Sequence, residues 1–388
     1  MARKRKSTAQ NSNFNWFKKN AVKWSVAGIV VMGIAYTYES GRFSAKMPEN
    51  LATTLSTKVS QYAAPITANT ACLKQFYQGV PPVLMKSSLN NNSYPLCFNG
   101  FSVMYSGTSK TPLWSAEELT PQRLSTNIKR QNNFHEETAV SNSAHRATLK
   151  DYQGSGYDRG HMSPNGDMPD VQSQFDSFSL ANMVPQAPKN NQQIWRELEE
   201  ATRAVVKKQK QDVYVITGPL FEGSKIKTIG QGVLVPTTVF KAVYFPKTGA
   251  IGAYYAPNNN SLQVNVVSIC YLEERLGISL FPQLSEEQKR QIYNLPLNAG
   301  MVKAQQPIRL LREDMESQCA QDPSTEEIEA TQKRFTSQKQ PTLNENNSQI
   351  PTQESQSHTS SSSHNRASES NTQSLIRQII SAFIKEIR

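Results

Sequence analysis

The stretch YDRGHMSPNGDM, residues 157–168, places three chemically capable side chains within four positions. Asp158 supplies a carboxylate, Arg159 a guanidinium and His161 an imidazole. An imidazole with an ordinary pKa is neutral at pH 7 and can take a proton from water. A guanidinium binds phosphate oxygens through parallel hydrogen bonds. This stretch therefore offers a general base beside a group that can hold an anion.

A second informative stretch, NMVPQAPKNNQQIWRELEEATRAVVKK, covers residues 182–208. Residues 192–208 contain neither Gly nor Pro, and Pro188 with the Asn pair at 190 and 191 predicts a helix start. Four residues on this helix recur every four positions and should lie within roughly 120° of one face: Asn191, Trp195, Glu199 and Arg203. An ordinary core face would be aliphatic, so this polar face is a candidate chemical site. The alternative is a solvated pair between Glu199 and Arg203.

An amide oxygen and a nearby carboxylate are hard donors that suit Mg²⁺, which needs only one or two protein ligands. Together with an imidazole base and arginines, such a cation indicates phosphodiester hydrolysis. A zinc centre is disfavoured, because the globular part contains only His135, His145 and His161 and the chain has no C-x-x-C motif.

The two motifs resemble the DNA/RNA non-specific endonucleases, the ββα-metal group that includes secreted bacterial nucleases and mitochondrial endonuclease G. The resemblance covers roughly residues 95–295. It rests on the D-R-G-H run and on the spacing N-x-x-P-Q-x-x-x-x-N-x-x-x-W-x-x-x-E-x-x-x-R, which begins at Asn182. It implies a ββα-metal fold of the α+β class, with a central, mostly antiparallel sheet flanked by helices.

The resemblance also implies the role of each site residue. Asn191 takes the position of the metal ligand, His161 that of the general base, and Glu199 that of a carboxylate that orients metal-bound water. The phosphate-contacting arginines fall on Arg159, Arg203 and, with a weaker match, Arg130. Asp158 is expected to organise the site, and Gly160 to permit a backbone conformation that other residues would strain.

The mechanism implied by the resemblance is an in-line attack on phosphorus by a water that His161 deprotonates. Mg²⁺ on Asn191, or Mn²⁺ in its place, would stabilise the developing charge and the leaving 3′ oxygen. Products would carry 5′ phosphates. DNA and RNA are both expected substrates, because their phosphate backbone is common to every sequence.

The net charge of +11 lies mostly in a basic segment, residues 1–23, which has seven basic and no acidic side chains. Residues 24–38 carry no charge, and we expect an uncleaved transmembrane signal anchor there, followed by a spacer at residues 39–70. The expected location is the inner membrane, single-pass, with the catalytic domain periplasmic or extracellular. A cleaved and secreted form, a mitochondrial presequence and a buried core helix are the alternatives.

Residues 71–318 have a globular composition and are predicted to form the endonuclease domain. Strands are predicted at 97–107, 212–221, 233–246, 249–258 and 264–269, and helices at 191–210, 270–276 and 285–293. This order favours an α+β sheet over a doubly wound one. We expect a disulfide between Cys72 and Cys97, with two buried free thiols as the alternative, and Cys270 unpaired.

Residues 319–372 are rich in Ser, Gln, Thr and Asn and are predicted to be a disordered linker. Residues 373–388 carry an apolar stripe at helical spacing and predict an amphipathic helix. That helix would bind a partner helix, a second copy or a membrane surface. An inhibitor protein is a further candidate partner that the sequence leaves open.

Two other functions compete with the nuclease. One is a nucleic-acid-binding or scaffold component of a membrane DNA transfer or secretion apparatus that keeps the fold with little activity. The other is a phosphodiesterase for a small or lipid substrate. A binding-only protein has no need for an imidazole base, so His161 favours the enzyme.

Overall fold

The computed structural model describes residues 70–338 of the 388-residue chain. The predicted basic segment, signal anchor and C-terminal amphipathic helix lie outside the described residues, as does nearly all of the predicted spacer. Within residues 70–338, no helix combines the length and apolar character that a membrane crossing requires.

The described strands are, in chain order, β1 Val83–Leu84, β2 Ser93–Cys97, β3 Ser102–Ser106, β4 Thr111–Leu119, β5 Asp158–His161, β6 Met183–Gln186, β7 Val213–Leu220, β8 Thr228–Ile229, β9 Val233–Leu234, β10 Thr238–Phe245, β11 Ala250–Pro257, β12 Asn265–Val267, β13 Ile278–Ser279, β14 Gln291–Tyr293 and β15 Leu310–Glu313.

The described α-helices are α1 Thr70–Leu73, α2 Leu149–Tyr152, α3 Val171–Ser177, α4 Arg196–Gln209, α5 Ile269–Leu276, α6 Glu286–Arg290 and α7 Thr325–Thr336. A π-helical turn, Asn190–Trp195, runs directly into α4. Short 3₁₀ turns lie at Tyr77–Gly79, Ser87–Asn90, Arg123–Ser125, Ser143–His145, Asn165–Asp167, Leu180–Asn182 and Ala299–Met301.

A seven-stranded sheet forms the centre of the molecule, in the order β12-β11-β10-β7-β4-β3-β2. Each neighbouring pair is antiparallel, and Thr217 of β7 lies opposite both Ser115 of β4 and Lys241 of β10. The predicted antiparallel sheet in a mixed α/β fold is therefore present. Four smaller two-stranded ladders surround it in the described region: β1-β13, β5-β6, β8-β9 and β14-β15.

The two faces of this sheet carry separate cores, because successive side chains along a strand point to opposite sides. Phe240 lies in a cluster with Trp114 and the aromatic rings of Phe76 and Phe335. Its neighbour Val239 lies in a second cluster, which includes buried residues of α4. The second face is the one that supports α4 and the motif residues preceding it.

Several predicted elements differ at their boundaries. Within the predicted strand 97–107, only Ser102–Ser106 forms a strand of its own, β3; the preceding β2, which ends at Cys97, was not predicted, although Asn99-Gly100, between β2 and β3, is a strong hairpin signal. The predicted strand 233–246 is divided at Pro236 into β9 and β10. Likewise the predicted helix 285–293 ends at Arg290, and β14 begins at Gln291.

The ordered structure continues past residue 318, where the sequence predicted a disordered linker. Helix α7 begins at a capping box in which the Ser324 and Glu327 side chains each accept a hydrogen bond from the other residue's backbone N–H. Phe335 is fully buried against Phe76 and Trp114. The capping box and the buried Phe335 ring thus stabilise a helix in this segment despite its polar composition.

Two disulfides are present among the described residues. Cys72 and Cys97 are paired as predicted, with their Cα atoms 5.5 Å apart. The prediction that Cys270 is unpaired was wrong, because it forms a disulfide with Cys319 across 49 positions. This second disulfide joins α5 to the segment that leads into α7.

Candidate active site

The motif residues meet because a short antiparallel ladder precedes helix α4. β5 pairs with β6 so that Asp158 lies opposite Gln186 and His161 opposite Met183. The chain leaves β6 and enters the π-helical turn that contains Asn191. Residues about thirty positions apart in sequence are therefore brought to neighbouring backbone elements.

Asp158 organises the two amides at the start of this turn. Its Oδ2 accepts hydrogen bonds from Asn191 Nδ2 at 2.9 Å and from Gln192 Nε2 at 2.8 Å. An ionised carboxylate only accepts hydrogen bonds, so the amide nitrogen of Asn191 must be the group facing Asp158. The Oδ1 atom of Asn191 accepts no hydrogen bond from any described residue. It is consequently available as an oxygen donor.

A cleft of about 500 Å³ lies over these elements. It is lined by Arg130, Asp158, Arg159, His161, Pro164, Asn165, Asn191, Gln192, Arg196 and Glu199. Six of the seven predicted site residues are on this list, and Arg203 is the exception. Gln192, Asn165 and Arg196 were not singled out from the sequence.

His161 is buried at one end of the cleft, with 8% of its surface exposed. Its ring packs against Phe134 and Phe178, whose centroids lie 5.8 and 5.0 Å away and 4.9 Å from each other. Its Nε2 atom has no hydrogen-bond partner among the described residues. Burial, reinforced by the positive charges of Arg130 and Arg159, lowers the pKa of His161 to about 3. The imidazole is thus neutral at physiological pH.

The same two aromatic rings hold the arginines. The guanidinium carbon of Arg159 lies 3.9 Å from the ring centroid of Phe134, and that of Arg130 lies 5.2 Å from Phe178. Cation–π contacts of this kind fix a guanidinium without neutralising it. Sequence reasoning missed both phenylalanines, because nothing in the local sequence shows that they flank the histidine.

Glu199 lines the cleft, but it does not form the solvated pair with Arg203 that the sequence left open. Arg203 Nη1 instead donates to Asp167 Oδ1 at 2.8 Å, on the turn that follows His161. The Glu199 carboxylate has no hydrogen-bond partner among the described residues. Burial raises its pKa to about 7, and Lys241 and then Arg203 oppose that shift.

The predicted row of four residues on one α-helical face takes a different form. Asn190–Trp195 is a π turn, whose wider i→i+5 hydrogen bonding is frequent at functional sites. Trp195 is buried in the core beneath α4, whereas Asn191 and Glu199 line the cleft. The four residues therefore do not share one surface: one lies in the core, two line the cleft and Arg203 pairs with Asp167.

A buried layer of charged residues lies on the sheet beneath α4. Lys241 is 1% exposed, donates to Thr217 Oγ1 at 3.0 Å and has its Nζ 5.6 Å from the Trp195 ring. Glu117 is equally buried and pairs with Arg123 at 3.0 Å. Burial and the nearby Asp167 raise the pKa of Glu117. Sequence reasoning missed these residues, although charged residues inside strands were the available signal.

The residues of the cleft also lie in the part of the chain that is similar to known proteins. A model of the DNA/RNA non-specific endonuclease family matches residues 82–287, which is more than half of the chain. The chain belongs to this family. Both motifs and all residues of the cleft lie inside the matched range.

Curated relatives in the endonuclease family include mitochondrial and fungal nucleases. The mitochondrial nuclease EXOG of Danio rerio is 36% identical over 208 residues, covering 47% of this chain and 60% of the relative. Mitochondrial endonuclease G of Homo sapiens is 35% identical, covering 46% and 62%. Nuclease C1 of Cunninghamella echinulata var. echinulata is 35% identical, covering 47% and 81%. The chain thus spans about three fifths of the first two relatives.

Among solved structures, one chain from the crystal structure of the EndoG/EndoGI complex is 25% identical to this endonuclease-family chain. The alignment covers 59% of this chain and 96% of the other, with a TM-score of 0.47.

Gly160 of the family's D-R-G-H run is required for a different reason from the one predicted. Its φ is not in the left-handed region, so no special backbone conformation is involved. A Cβ added there would lie 2.6 Å from the Cβ of Gln186 and would overlap its Oε1 atom. The glycine therefore allows the Gln186 side chain on β6 to cross close to β5.

The donor set of this family member fits a hydrated hard cation. No group of three or more His, Cys, Asp or Glu side chains between residues 70 and 338 could hold a metal. The cleft instead offers the Asn191 Oδ1 atom, oriented by Asp158, and the Glu199 carboxylate. An amide oxygen and a carboxylate in a roomy cleft match a cation that keeps most of its waters.

Proposed function

We propose that this protein is a divalent-cation-dependent endonuclease that hydrolyses phosphodiester bonds of DNA and RNA without sequence specificity. Mg²⁺ is the proposed cation, Mn²⁺ can replace it, and the products carry 5′ phosphates. The observation that carries the proposal is the meeting in one cleft of the neutral His161 imidazole and an open Asn191 Oδ1.

His161 is the general base of the proposed reaction. A neutral imidazole has one nitrogen that can accept a proton, and in the cleft that nitrogen takes it from the attacking water. The low pKa of His161 keeps the base in its neutral form. The two phenylalanine rings exclude bulk water from the imidazole and hold it in place.

Asn191 and Glu199 would hold the cation, Asn191 directly through Oδ1 and Glu199 through an intervening water. When bound, Mg²⁺ supplies electrostatic stabilisation of the charge that develops on the phosphoryl group and the leaving 3′ oxygen. Asp158 sets the orientation of the Asn191 amide through the 2.9 Å hydrogen bond. Asp158 is therefore a positioning residue in this proposal, not a proton donor.

Arg130 and Arg159 are the proposed phosphate-binding groups. Both line the cleft and both are held against aromatic rings; apart from Arg130 Nε, which donates to Asn132 Oδ1, their N–H groups are available to phosphate oxygens. Arg203 has a different place, since it pairs with the buried Asp167. We assign Arg203 the role of holding α4, and with it Glu199, against the turn after His161.

The names of the relatives support nuclease activity for this protein and favour one of its predicted locations. Several are named nucleases, and EXOG and endonuclease G are described as mitochondrial. These names favour the mitochondrial location among the predicted alternatives. The predicted inner-membrane anchor, the partner of residues 373–388 and an inhibitor protein remain predictions, because the relevant residues lie outside the described region or no contact tests them.

The test uses the purified full-length chain and a supercoiled plasmid, incubated with Mg²⁺ and, separately, with a chelator. Mg²⁺-dependent nicking and linearisation, followed by breakdown of an RNA under the same conditions, is the expected result. Intact plasmid in Mg²⁺ would instead favour the binding or scaffold component. End-labelling of the products checks for 5′ phosphates, and competition by small phosphodiesters checks the remaining alternative.

A further inference from the structure

A second cavity adjoins the active cleft and is not needed by the chemistry described above. It encloses about 510 Å³, a volume within the range of small-ligand sites. Arg130, Asp158, Arg159 and Asn191 line both cavities, so the two are continuous. The far wall is formed by residues 149–157, and we call this second cavity the outer pocket.

The far wall combines apolar, aromatic and basic side chains. Leu149 is 40% exposed although it is a large apolar residue, and Tyr157 of the same wall is half-buried. Lys150 is exposed and forms no ion pair with any described residue. Tyr152 is 6% exposed, and its buried Oη has no described hydrogen-bond partner. Such a wall offers a flat apolar surface and a free cation to a ligand.

The backbone of this wall is fixed by local contacts. Gly154 and Gly156 adopt left-handed φ values of 68° and 79°, which turn the chain between α2 and β5. The Asp151 carboxylate accepts hydrogen bonds from the Thr148 backbone and side chain and from the Gln231 backbone N–H. The outer pocket is therefore a preformed concavity.

We propose that the outer pocket binds the nucleotide next to the scissile phosphate with its base unstacked from its neighbours. Tyr157 and Leu149 would receive the base, and Lys150 the adjoining phosphate. This inference rests on the proposed nuclease function. Three cationic side chains, Arg130, Lys150 and Arg159, face a single acid, Asp158, which suits an anionic backbone.

The shape of the outer pocket is the reason for an unstacked base. A duplex presents its sugar-phosphate backbone to a protein, whereas its bases stay stacked inside the helix and cannot enter a concave pocket. A single strand can turn one base outward onto an aromatic ring at little cost. The outer pocket should therefore favour single-stranded segments over an intact duplex.

The test measures binding of a fluorescein-labelled single-stranded DNA oligonucleotide and of the matching duplex by fluorescence anisotropy. The full-length chain carries His161→Ala, so that the substrate survives in Mg²⁺. Tyr157→Ala should weaken binding of the single strand about tenfold, as expected for the loss of one stacked base, and leave duplex binding almost unchanged. Tyr157→Phe, which keeps the ring, should bind the single strand like the parent.

Lys150→Ala is the second variant, and it lies on the surface where folding does not depend on it. It should weaken single-strand binding and reduce the salt dependence by about one phosphate contact. Lys333→Ala, at an exposed position of helix α7, is the matched control and should have no effect. The inference is overturned if Tyr157→Ala and Lys150→Ala bind both substrates like the parent, or weaken both equally. A chain without His161→Ala that fails to cut plasmid would instead refute the nuclease function itself.

Discussion

At the scale of single residues, the surroundings of His161 set its chemistry. An exposed histidine would titrate near neutrality, but burial against two phenylalanine rings and the nearness of two arginines lower the pKa of this one to about 3. The sequence indicated the imidazole, the amide and the carboxylate, because all three lie within two continuous motifs. It could not indicate Phe134 or Phe178, which reach the site only through tertiary packing.

Replacing His161 tests the general base. His161→Ala should lower kcat by roughly 10²- to 10⁴-fold, the usual contribution of general-base catalysis, while nucleic-acid binding is retained. Steady-state plasmid cleavage and anisotropy measure the two quantities. His145→Ala is the matched control, since His145 is bonded to Tyr94 outside the cleft and should cut at near wild-type rate. A fast His161→Ala enzyme would place the base elsewhere.

The low pKa of His161 also predicts a pH dependence of stability. Because the folded protein binds this proton far less readily than the unfolded chain, stability is complete above about pH 6.5 and falls as pH drops toward 3. The slope from this group is at most about 1.4 kcal/mol per pH unit. Urea unfolding in chelator at pH 7, 6 and 5 should therefore show a smaller acid loss for His161→Gln than for the parent. Equal losses would contradict the assignment.

The contribution of Glu199 to the pH dependence of stability should have the opposite sign to that of His161. Its folded-state pKa is raised to about 7, so the stability it contributes is lost as pH rises through that value. The net dependence on pH is therefore the sum of opposing groups. Only a comparison between variant and parent isolates His161, and Glu199→Gln in the same series should remove the loss of stability that Glu199 causes between about pH 4.5 and 7.

At the scale of elements, the β5–β6 ladder and the π turn convert two sequence motifs into one site. Asn182, fully buried, bonds both the N–H and the carbonyl of Ser163 and so fixes the turn after His161. Ser163 in turn bonds Ser115 of the central sheet at 2.8 Å. The sequence predicted an α-helix from 191, but it could not predict a π turn, which depends on hydrogen bonding rather than on residue pattern.

The close approach of the two ladder strands at Gly160 is directly testable. Gly160→Ala should destabilise the protein by about 1–3 kcal/mol, because its Cβ would displace the buried Gln186 side chain. Urea unfolding measures the change. Gly154→Ala provides a contrast, since no atom lies within 4 Å of an added Cβ there and only its left-handed φ is disfavoured. A Gly160→Ala protein as stable as the parent would refute the packing explanation.

At the scale of the whole molecule, the central sheet separates structural support from chemistry. One face carries the aromatic cluster, α7 and the Cys72–Cys97 disulfide, whereas the other carries α4 and the cleft. Most sheet strands were evident from β-branched and aromatic runs. β2 and β4 were not, and in β4 the residues Pro112, Glu117 and Glu118 obscure the pattern, with Glu117 accommodated by its ion pair with Arg123. The sequence likewise missed α7, whose order depends on distant Phe76 and Trp114.

Because α7 packs on the sheet through one aromatic side chain, replacing that side chain should strongly lower the stability of the protein. Phe335→Ala should lower the free energy of unfolding by about 3–5 kcal/mol, since its ring is fully buried against Phe76 and Trp114. Leu311→Ala, at a site that is 61% exposed, is the control and should change stability by less than about 0.5 kcal/mol. Thermal or urea unfolding decides this. If both variants were equally stable, α7 would not be part of the folded core.

The central claim is that Asn191, which would hold a hydrated cation, and His161, as the base, act on one phosphodiester. Its most direct test is the Mg²⁺ concentration needed for half-maximal plasmid cleavage by Asn191→Ala, compared with Gln192→Ala. Both amides donate to Asp158, but only Asn191 is assigned as a ligand. We predict a rise of more than about tenfold for Asn191→Ala and a value close to wild type for Gln192→Ala. An unchanged Mg²⁺ requirement in Asn191→Ala would contradict the account.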